Sequence, residues 1–283
     1  MSSQRPFKLL TQNVLRRIGL YERVKASILY DVYWKKHNQQ IIADRSAEVE
    51  FYRQTLSGMK KGDLIFDIGA NEGYKTDIFL RLGATVVAAD PDETNIVRLK
   101  NRFIKYRLRP KPVRVVGKAV SDDIASKTMW VDAPGSAMNT LSPKWVDTLR
   151  QDEQRFGERL GFRSTRTVEA TTIEELTVAH GVPFFIKIDV EGHEASVLRG
   201  MRRPVRYLSF EANLPEFTKD GLKCIERLAT IAPAGQFNYA TDLRAGLAMS
   251  CWVPADQFSS IFAQIEQSSV EVFWRNDQSA AAA

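Results

Sequence analysis

The chain has 283 residues, 44% of them hydrophobic, and a net charge of +6. This length fits one large α/β domain with extensions, while Cys224 and Cys251 are too few and too far apart to predict a disulfide framework or a zinc site. No run of about 18 apolar residues occurs, so the sequence predicts no transmembrane helix. The first six residues also lack the apolar core of a signal peptide, which favours a cytoplasmic location.

The positive charge is concentrated at the amino-terminal end. Positions 1–36 contain eight Lys or Arg and two acids, and this excess of six equals the whole net charge. The balanced remainder argues against a nucleic-acid groove. Apolar residues at helical spacing within 1–36 predict two short amphipathic helices, which either contact a membrane peripherally or pack on the core. We predict a helical extension over 1–50, a main domain over 51–277 and a flexible tail over 278–283.

From position 64 onward, predicted strands alternate with predicted helices. The candidate strands are 64–69, 85–90, 113–120, 128–132, 184–189, 205–211 and 270–275. Several are apolar throughout, which is typical of a parallel sheet covered by helices on both faces. The predicted fold class is therefore α/β, Rossmann-like and doubly wound, with a mostly parallel seven-stranded sheet. Positions 134–168 break the rhythm and predict either a lid insertion or a solvated helix.

The first strand runs into a glycine loop with the sequence DIGANEG. Asn71 stands where a dinucleotide-binding loop has its second glycine, which disfavours a pyrophosphate ligand. Asp67 in the strand would face an ammonium or sulfonium, and the backbone of Gly69 and Gly73 would face a carboxylate. Asp90, at the end of the second strand, would accept hydrogen bonds from a ribose. S-adenosylmethionine carries all of these groups, and the alternative is a structural turn.

A second cluster lies in the segment IKIDVEGHE at positions 186–194. Asp189 ends a buried strand, and Glu191 and His193 follow it, with Gly192 allowing a tight turn into a helix. The helix dipole disfavours an imidazolium at His193 whereas the nearby acids favour it, so the sequence leaves its protonation state open. The alternative is that these side chains only cap the helix.

A third cluster, Glu211 and Asn213, ends the next predicted strand. If the two strands are neighbours, these residues share a crevice with Asp189 and Glu191. Such an oxygen-rich set could bind Mg²⁺, but hydrogen bonding to a polyhydroxy substrate explains the same residues. We therefore predict substrate contacts and no metal.

Three segments resemble the FkbM family of S-adenosylmethionine-dependent methyltransferases: FDIGANEG, DPDETNIVRLKNRF and, most specifically, IKIDVEGHEASVLRG. The resemblance covers roughly positions 62–213. It implies a Rossmann-like methyltransferase in which the glycine loop holds the methionine end, Asp90 the ribose, and Asp189 to His193 the reacting centre. The family commonly has Glu in place of Asp90. The amino-terminal segment is similar to that of members found in bacterial polysaccharide and lipopolysaccharide gene neighbourhoods.

The predicted function is O-methylation of a sugar hydroxyl in a polysaccharide, a lipopolysaccharide or a related glycan. Methyl transfer from a sulfonium is an in-line displacement, in which the protein mainly aligns the acceptor oxygen with the methyl carbon. We predict that His193 takes the hydroxyl proton, with Asp189 as the second candidate and Glu191 orienting the base or the sugar. The alternatives are an RNA methyltransferase and a non-catalytic binding module on the same fold.

Overall fold

The computed structural model describes residues 39–104, 106, 112–151 and 160–277, so the predicted amphipathic helices within 1–36 and the tail lie outside the described residues. The described residues form eleven strands: β1 (Leu64–Ile68), β2 (Thr85–Ala89), β3 (Val113–Val116), β4 (Ala119–Val120), β5 (Ser126–Val131), β6 (Ser164–Thr171), β7 (Phe185–Ile188), β8 (Tyr207–Asn213), β9 (Gln236–Ala240), β10 (Val253–Pro254) and β11 (Ser269–Arg275). They also form eight α-helices: α1 (Gln39–Thr55), α2 (Tyr74–Arg81), α3 (Glu93–Arg102), α4 (Pro143–Gln151), α5 (Ile173–His180), α6 (Glu194–Arg199), α7 (Thr218–Ile231) and α8 (Ala255–Phe262). None of these helices is long and apolar enough to cross a membrane.

The main sheet has the strand order β10-β9-β11-β8-β7-β1-β2-β3. The five strands from β8 to β3 pair in parallel, whereas β11, β9 and β10 pair antiparallel. This confirms the doubly wound, mostly parallel α/β class. Within the described residues the sheet has eight strands rather than the predicted seven: six of the predicted strands lie in it, and the sequence analysis missed both β9 and the two-residue β10. The order of the strands reverses at β1: β2 and β3 are added on one side of it, and β7 and β8 on the other. Folds of this class bind ligands at such a switch point.

A second, three-stranded sheet has the order β4-β6-β5. The predicted strand at 113–120 was wrong as a single element, because β3 stays beside β2 while β4 turns away to pair with β6. The predicted strand at 128–132 corresponds to β5, which belongs to this small sheet. The sequence analysis missed β6, in the second half of the predicted insertion, because its first six residues are mostly exposed and polar and show no apolar alternation.

The core lies on both faces of the main sheet, as expected for parallel strands under helices. One face packs under α6, α7 and α8, and the other under α1 and α2. The helix α1 runs through the predicted boundary at position 50, because its residues Phe51 and Tyr52 are buried. Tyr52 and Phe185 both stand against Phe79, with ring centroids 5.1 and 5.6 Å apart in edge-to-face geometry. These contacts attach α1 to the sheet.

Candidate active site

A cleft of about 690 Å³, including its open mouth, lies at the carboxyl ends of β1, β2 and β7. The topology brings six of the predicted site residues to its wall. These are Gly69, Asn71, Asp90, Asp189, Glu191 and His193. The other four, Asp67, Gly73, Glu211 and Asn213, lie behind this wall and do not line the cleft. Fold and sequence thus agree on where the ligands should bind.

The glycines of the loop after β1 are required by close packing within the protein. Gly69 has φ +81°, and a Cβ atom there would lie 1.7 Å from the carbonyl oxygen of Asp189. Gly73 has φ +80°, and its Cβ would lie 2.7 Å from the side chains of Leu99 and Phe103. The close contact at Gly69 holds the loop after β1 against the loop after β7, whereas Gly73 lets the loop pack against Leu99 and Phe103.

The N–H groups of this loop are mostly used inside the protein. Gly69 and Ala70 both donate to the carbonyl oxygen of Ala89, at 2.9 and 3.0 Å, and Gly73 donates to Ala70 at 2.7 Å. Asn71 donates its backbone N–H to Asp90 Oδ2 at 2.8 Å. Any of these four N–H groups would contact the methionine carboxylate only by exchanging or sharing its present hydrogen bond.

Asp67 lies beneath the loop, with 1% of its surface exposed, and accepts a hydrogen bond from the Thr76 hydroxyl. Burial raises the pKa of Asp67, against the opposing effects of Lys187 and Thr76. Its predicted contact with the sulfonium or ammonium group stays a prediction, and it would act through the loop rather than from the cleft wall.

Asp90 is the acid best placed to meet a ribose. Its Oδ1 accepts hydrogen bonds from the Asp92 N–H at 2.9 Å and from Asn95 Nδ2 at 3.3 Å, which fixes the carboxylate at the cleft wall. Burial raises the pKa of Asp90 to about 6, against the hydrogen bonds that it accepts. A carboxylate has about four acceptor positions, so capacity remains for hydroxyl donors. Together with the neighbouring apolar Val120 and Met129, this hydrogen-bond acceptor fits the nucleoside part of S-adenosylmethionine.

Replacement of Asp90 by Asn is expected to weaken S-adenosylmethionine binding about tenfold or more, because a hydrogen bond to a charged group contributes about 1.5–3 kcal/mol. Binding by the wild type should also weaken as the pH falls through about 6, where the carboxylate becomes protonated. Titration calorimetry one unit above and one unit below that pH checks both effects. Equal affinities of the two proteins at both pH values would exclude a contact between Asp90 and the ligand.

The opposite wall of the cleft comes from the start of the predicted lid insertion. The Gly135 N–H and Asn139 Nδ2 donate to Asp92 Oδ2 at 3.1 and 2.8 Å. Thr140 Oγ1 donates to the carbonyl oxygen of Glu191 at 2.7 Å. The segment is thus tied to the loops after β2 and β7, and its residues 136, 137 and 139–141 line the cleft. Sequence reasoning missed Asp92, Asn139 and Thr140, because nothing local relates them.

The helix α4 of the insertion packs under the loop that carries the second cluster. Its Trp145 is fully buried and lies edge to face with Phe217, at a centroid distance of 5.4 Å. Gly192 has φ +86°, and a Cβ there would lie 2.7 Å from Phe217 and 3.2 Å from Trp145. The turn between Glu191 and His193 is therefore shaped by these two aromatic residues as well as by its own sequence.

Lys187 and three acids form a connected group that extends from the cleft wall into the protein. The buried Lys187 ammonium lies 2.7 Å from Asp189 Oδ2. Burial raises the pKa of Asp189, but Lys187 and a hydrogen bond from Glu211 outweigh this and lower it, so Asp189 is a carboxylate. Burial and the charge of Asp189 raise the pKa of Glu211 to about 8, and burial and Glu211 raise that of Glu191. At neutral pH Glu211 therefore holds a proton.

Carboxyl oxygens of Asp189, Glu191 and Glu211 lie within 4.8 Å of one another, a separation that one divalent cation could bridge. The same oxygens can also share protons and donate hydrogen bonds to a substrate, since protonated carboxyls are donors. Asn213 is buried on the same strand as Glu211, two residues further on. Its predicted substrate contact, like that of Glu211, would need an opening in the cleft wall.

The protonated state of Glu211 predicts a pH-dependent stability. Its pKa is 4.5 in the unfolded chain and about 8 in the folded protein, so only the folded state holds this proton between those values. The free energy of unfolding should therefore fall as the pH rises through that range, by a few kcal/mol at most. Glu211→Gln keeps a donor toward Asp189 and an acceptor for Ser269 but does not ionise, so it should reduce this fall.

Urea unfolding of the wild type and Glu211→Gln across that pH range checks this prediction. The control is Glu266→Gln, because Glu266 is an exposed acid outside the buried group. Parallel stability curves for the wild type and Glu211→Gln would contradict a proton on Glu211.

His193 is the candidate base, and its surroundings answer the question that the sequence left open. Burial lowers the pKa of His193 to about 4, against the charge of Asp122, and Lys127 and Arg199 lower it further. The ring is therefore neutral at pH 7 and can accept a proton. The opposing acid is Asp122 rather than an acid of the same loop. Asp122 comes from the end of the small sheet, 71 positions away, and carries no sequence signal for this role.

Comparisons with known proteins identify the family of this chain. A sequence profile described as "Methyltransferase FkbM domain" matches residues 67–238. The hexuronic acid methyltransferase AglP of Haloferax volcanii is 25% identical over 170 residues, which are 60% of this chain and 62% of AglP. The chain therefore spans less than two thirds of that relative's length.

Solved structures with a similar chain course include a TehB-like SAM-dependent methyltransferase from Corynebacterium glutamicum, at 11% identity and a TM-score of 0.41 over 87% of this chain and 98% of that one. Another is the plantazolicin methyltransferase BpumL in complex with SAH, at 10% identity and a TM-score of 0.39 over 95% and 98% of the two chains. The family match covers 172 of the 283 residues, so the chain belongs to the FkbM methyltransferase family.

Proposed function

We propose that the protein transfers the methyl group of S-adenosylmethionine to a hydroxyl oxygen of a sugar in a polysaccharide, a lipopolysaccharide or a related glycan. The observation that carries the proposal is a neutral histidine, His193, in the wall of the cleft that also contains Asp90 and the glycine loop. A hydroxyl is a poor nucleophile until its proton is being removed, so a base at this position suits this acceptor.

In this mechanism the cofactor supplies an electrophilic methyl carbon, and the protein supplies alignment and a proton acceptor. His193 takes the proton of the hydroxyl as the new oxygen–carbon bond forms. Asp189 is the weaker candidate for this role, because Lys187 already binds its carboxylate at 2.7 Å and lowers its pKa. Glu191, whose pKa is raised by burial and the neighbouring acids, would orient the base or the sugar hydroxyls.

The acceptor side of the cleft is polar and suits a sugar. Ser136, Asn139 and Thr140 from the insertion face the cleft together with Lys118, an exposed cation. The Asn139 amide and the Thr140 hydroxyl already donate to Asp92 and to the Glu191 carbonyl, whereas the Lys118 ammonium could bind an acidic sugar. The name of the relative AglP points to a hexuronic acid as one such acceptor.

A methyl-transfer assay tests the proposal. The protein is incubated with methyl-labelled S-adenosylmethionine and, in separate arms, neutral glycans, hexuronic-acid glycans and RNA. The product is then treated with mild alkali. A methyl group on a hydroxyl is an ether and survives alkali, whereas one on a carboxylate is an ester and is released. Labelled ether on a glycan is the expected result, and label found only as ester or only in RNA would refute O-methylation of a sugar hydroxyl.

The domain arrangement also remains our proposal, with an amino-terminal extension that precedes the methyltransferase domain and contacts anionic lipid through residues 1–36. Its support is the excess of six positive charges in that segment. Pelleting with anionic liposomes, with and without residues 1–36, tests it, and equal pelleting of the two forms would rule it out.

A further inference from the structure

Ser121 and Asp122, two residues outside the predicted site, are linked by hydrogen bonds to Nε2 of the His193 ring. Ser121 follows β4 directly, is 0% exposed, and its Oγ lies 2.9 Å from His193 Nε2. The same hydroxyl donates to Asp122 Oδ1 at 2.9 Å. Arg199 at the end of α6 donates from Nε and Nη2 to Asp122 Oδ2 at 3.2 and 2.9 Å. A chain of hydrogen bonds thus runs from Arg199 through Asp122 and Ser121 to His193.

The number of protons on each group decides which atom is the donor in each of these hydrogen bonds. Partial burial would raise the pKa of Asp122, but hydrogen bonds from Arg199 and Ser121 outweigh it and lower that pKa, so Asp122 is a carboxylate. A carboxylate can only accept, which commits the single hydroxyl proton of Ser121 to Oδ1. The Ser121 oxygen then offers only lone pairs to His193, so Nε2 must carry the ring proton. A neutral imidazole has one such proton, and Nδ1 is therefore bare.

We propose that Ser121 and Asp122 are positioning residues that fix His193 in the Nε2–H tautomer and leave Nδ1 free to take the proton of the acceptor. The inference rests on the proposed function, in which His193 is the base. The opposite tautomer would present an N–H at Nδ1, which cannot accept a proton. The hydrogen bond to Ser121 occupies Nε2, and His193 itself lines the cleft.

The backbone holds this arrangement at a fixed distance. Gly200, directly after α6, approaches Ser121 so closely that a Cβ atom would lie 2.3 Å from the Ser121 carbonyl oxygen. His193 is the N-cap residue of α6, and Arg199 ends the helix. One short helix therefore carries both ends of the hydrogen-bond chain, and its packing against the Ser121 loop sets the spacing between them.

Asp122→Asn should exchange the donor and acceptor roles in the hydrogen bonds from residue 122 through Ser121 to His193, with little change in side-chain shape. The two N–H groups of Arg199 need an acceptor, so the amide oxygen of the Asn takes the Oδ2 position and its NH₂ faces Ser121. The Ser121 hydroxyl proton then turns toward His193 Nε2, and the ring proton moves to Nδ1. Lys127 lies 3.5 Å from Asp122 Oδ1 but forms its closer ion pair with Asp123, so it does not hold the amide in the other orientation.

The experiment is nitrogen NMR of the full-length protein with isotope-labelled histidine rings, combined with turnover of the same samples. The chain has three histidines, and His193→Gln identifies the signals of His193. The wild type should show a protonated Nε2 and a bare Nδ1. Asp122→Asn should show the reverse, with turnover reduced about tenfold or more. S-adenosylmethionine affinity should be unchanged.

Asp123→Asn is the matched control, because it removes the same charge from the same loop at a side chain that is 58% exposed and paired with Lys127. It should leave the tautomer and the turnover unchanged. If Asp122→Asn fails to fold, Ser121→Ala is the second variant, and removal of its hydroxyl should spread the ring proton over both nitrogens and lower turnover.

A wild-type ring with its proton on Nδ1 would overturn the inference, whatever the turnover. So would Asp122→Asn or Ser121→Ala protein with the wild-type tautomer and turnover. The expected tautomer combined with full turnover of His193→Gln would instead refute His193 as the base, which is a failure of the proposed mechanism. The NMR and turnover results therefore separate the two failures.

Discussion

His193→Gln is expected to reduce turnover by about a hundredfold or more while S-adenosylmethionine binds with similar affinity, because positioned acid–base groups contribute about 10²–10⁴ in rate. The Gln amide nitrogen can occupy the place of Nε2 and still donate to Ser121, whose Oγ lies 2.9 Å from that atom in the wild type. The variant therefore removes the bare ring nitrogen and keeps the packing. Single-turnover rates and calorimetric affinities measure the two effects separately.

The control is His180→Gln. His180 ends α5, away from the cleft, where its Nδ1 lies 3.0 Å from Arg114 Nη1. Its replacement should leave turnover unchanged. Full turnover of His193→Gln would remove His193 from the role of base and leave Asp189 as the remaining candidate.

Gly69→Ala is expected to destabilise the protein by about 2–5 kcal/mol and to abolish methyl transfer. Adoption of φ +81° by a residue with a side chain costs about 1–2 kcal/mol, and the added Cβ would meet the Asp189 carbonyl oxygen at 1.7 Å. That contact cannot be relieved by a side-chain rotation, because both atoms belong to or adjoin the backbone. The loops after β1 and β7 must separate, which displaces Asp189 from the cleft.

Gly62→Ala separates the two contributions to this effect. Gly62 has φ +94°, but a Cβ there would have nothing within 4 Å. Gly62→Ala should lower the free energy of unfolding only by the cost of the positive φ, about 1–2 kcal/mol, and leave turnover unchanged. Urea unfolding of the wild type and both variants gives the comparison, and equal destabilisation by the two substitutions would contradict a tight contact at Gly69.

The main sheet could be predicted because its central strands are apolar runs. β1, β2 and β7 are buried on both faces, so their residues are nearly all apolar and the sequence pattern predicts these strands directly. β6 could not be predicted, because six of its eight residues are exposed or only partly buried and its pattern is that of a solvated segment. The split between β3 and β4 depends on which partner each strand finds, and that information is tertiary.

The site was predictable to the extent that strand ends define it. Asp90, Asp189 and His193 each follow a predicted strand closely, and the rule that ligands bind at such ends brings them together. Ser121 and Asn139 reach the site through the small sheet and the insertion, whose course does not follow from local sequence. The protonation of His193 depended on burial, which the sequence pattern of a short loop does not reveal.

Titration calorimetry of the purified protein with S-adenosylmethionine, S-adenosylhomocysteine and NAD in parallel tests the central claim most directly. The account predicts binding of both sulfur ligands at micromolar concentrations, about −8 kcal/mol, and no binding of NAD, for which the loop at Asn71 is unsuited. Failure of both sulfur ligands to bind, or binding of NAD in their place, would contradict the assignment of this cleft to methyl transfer.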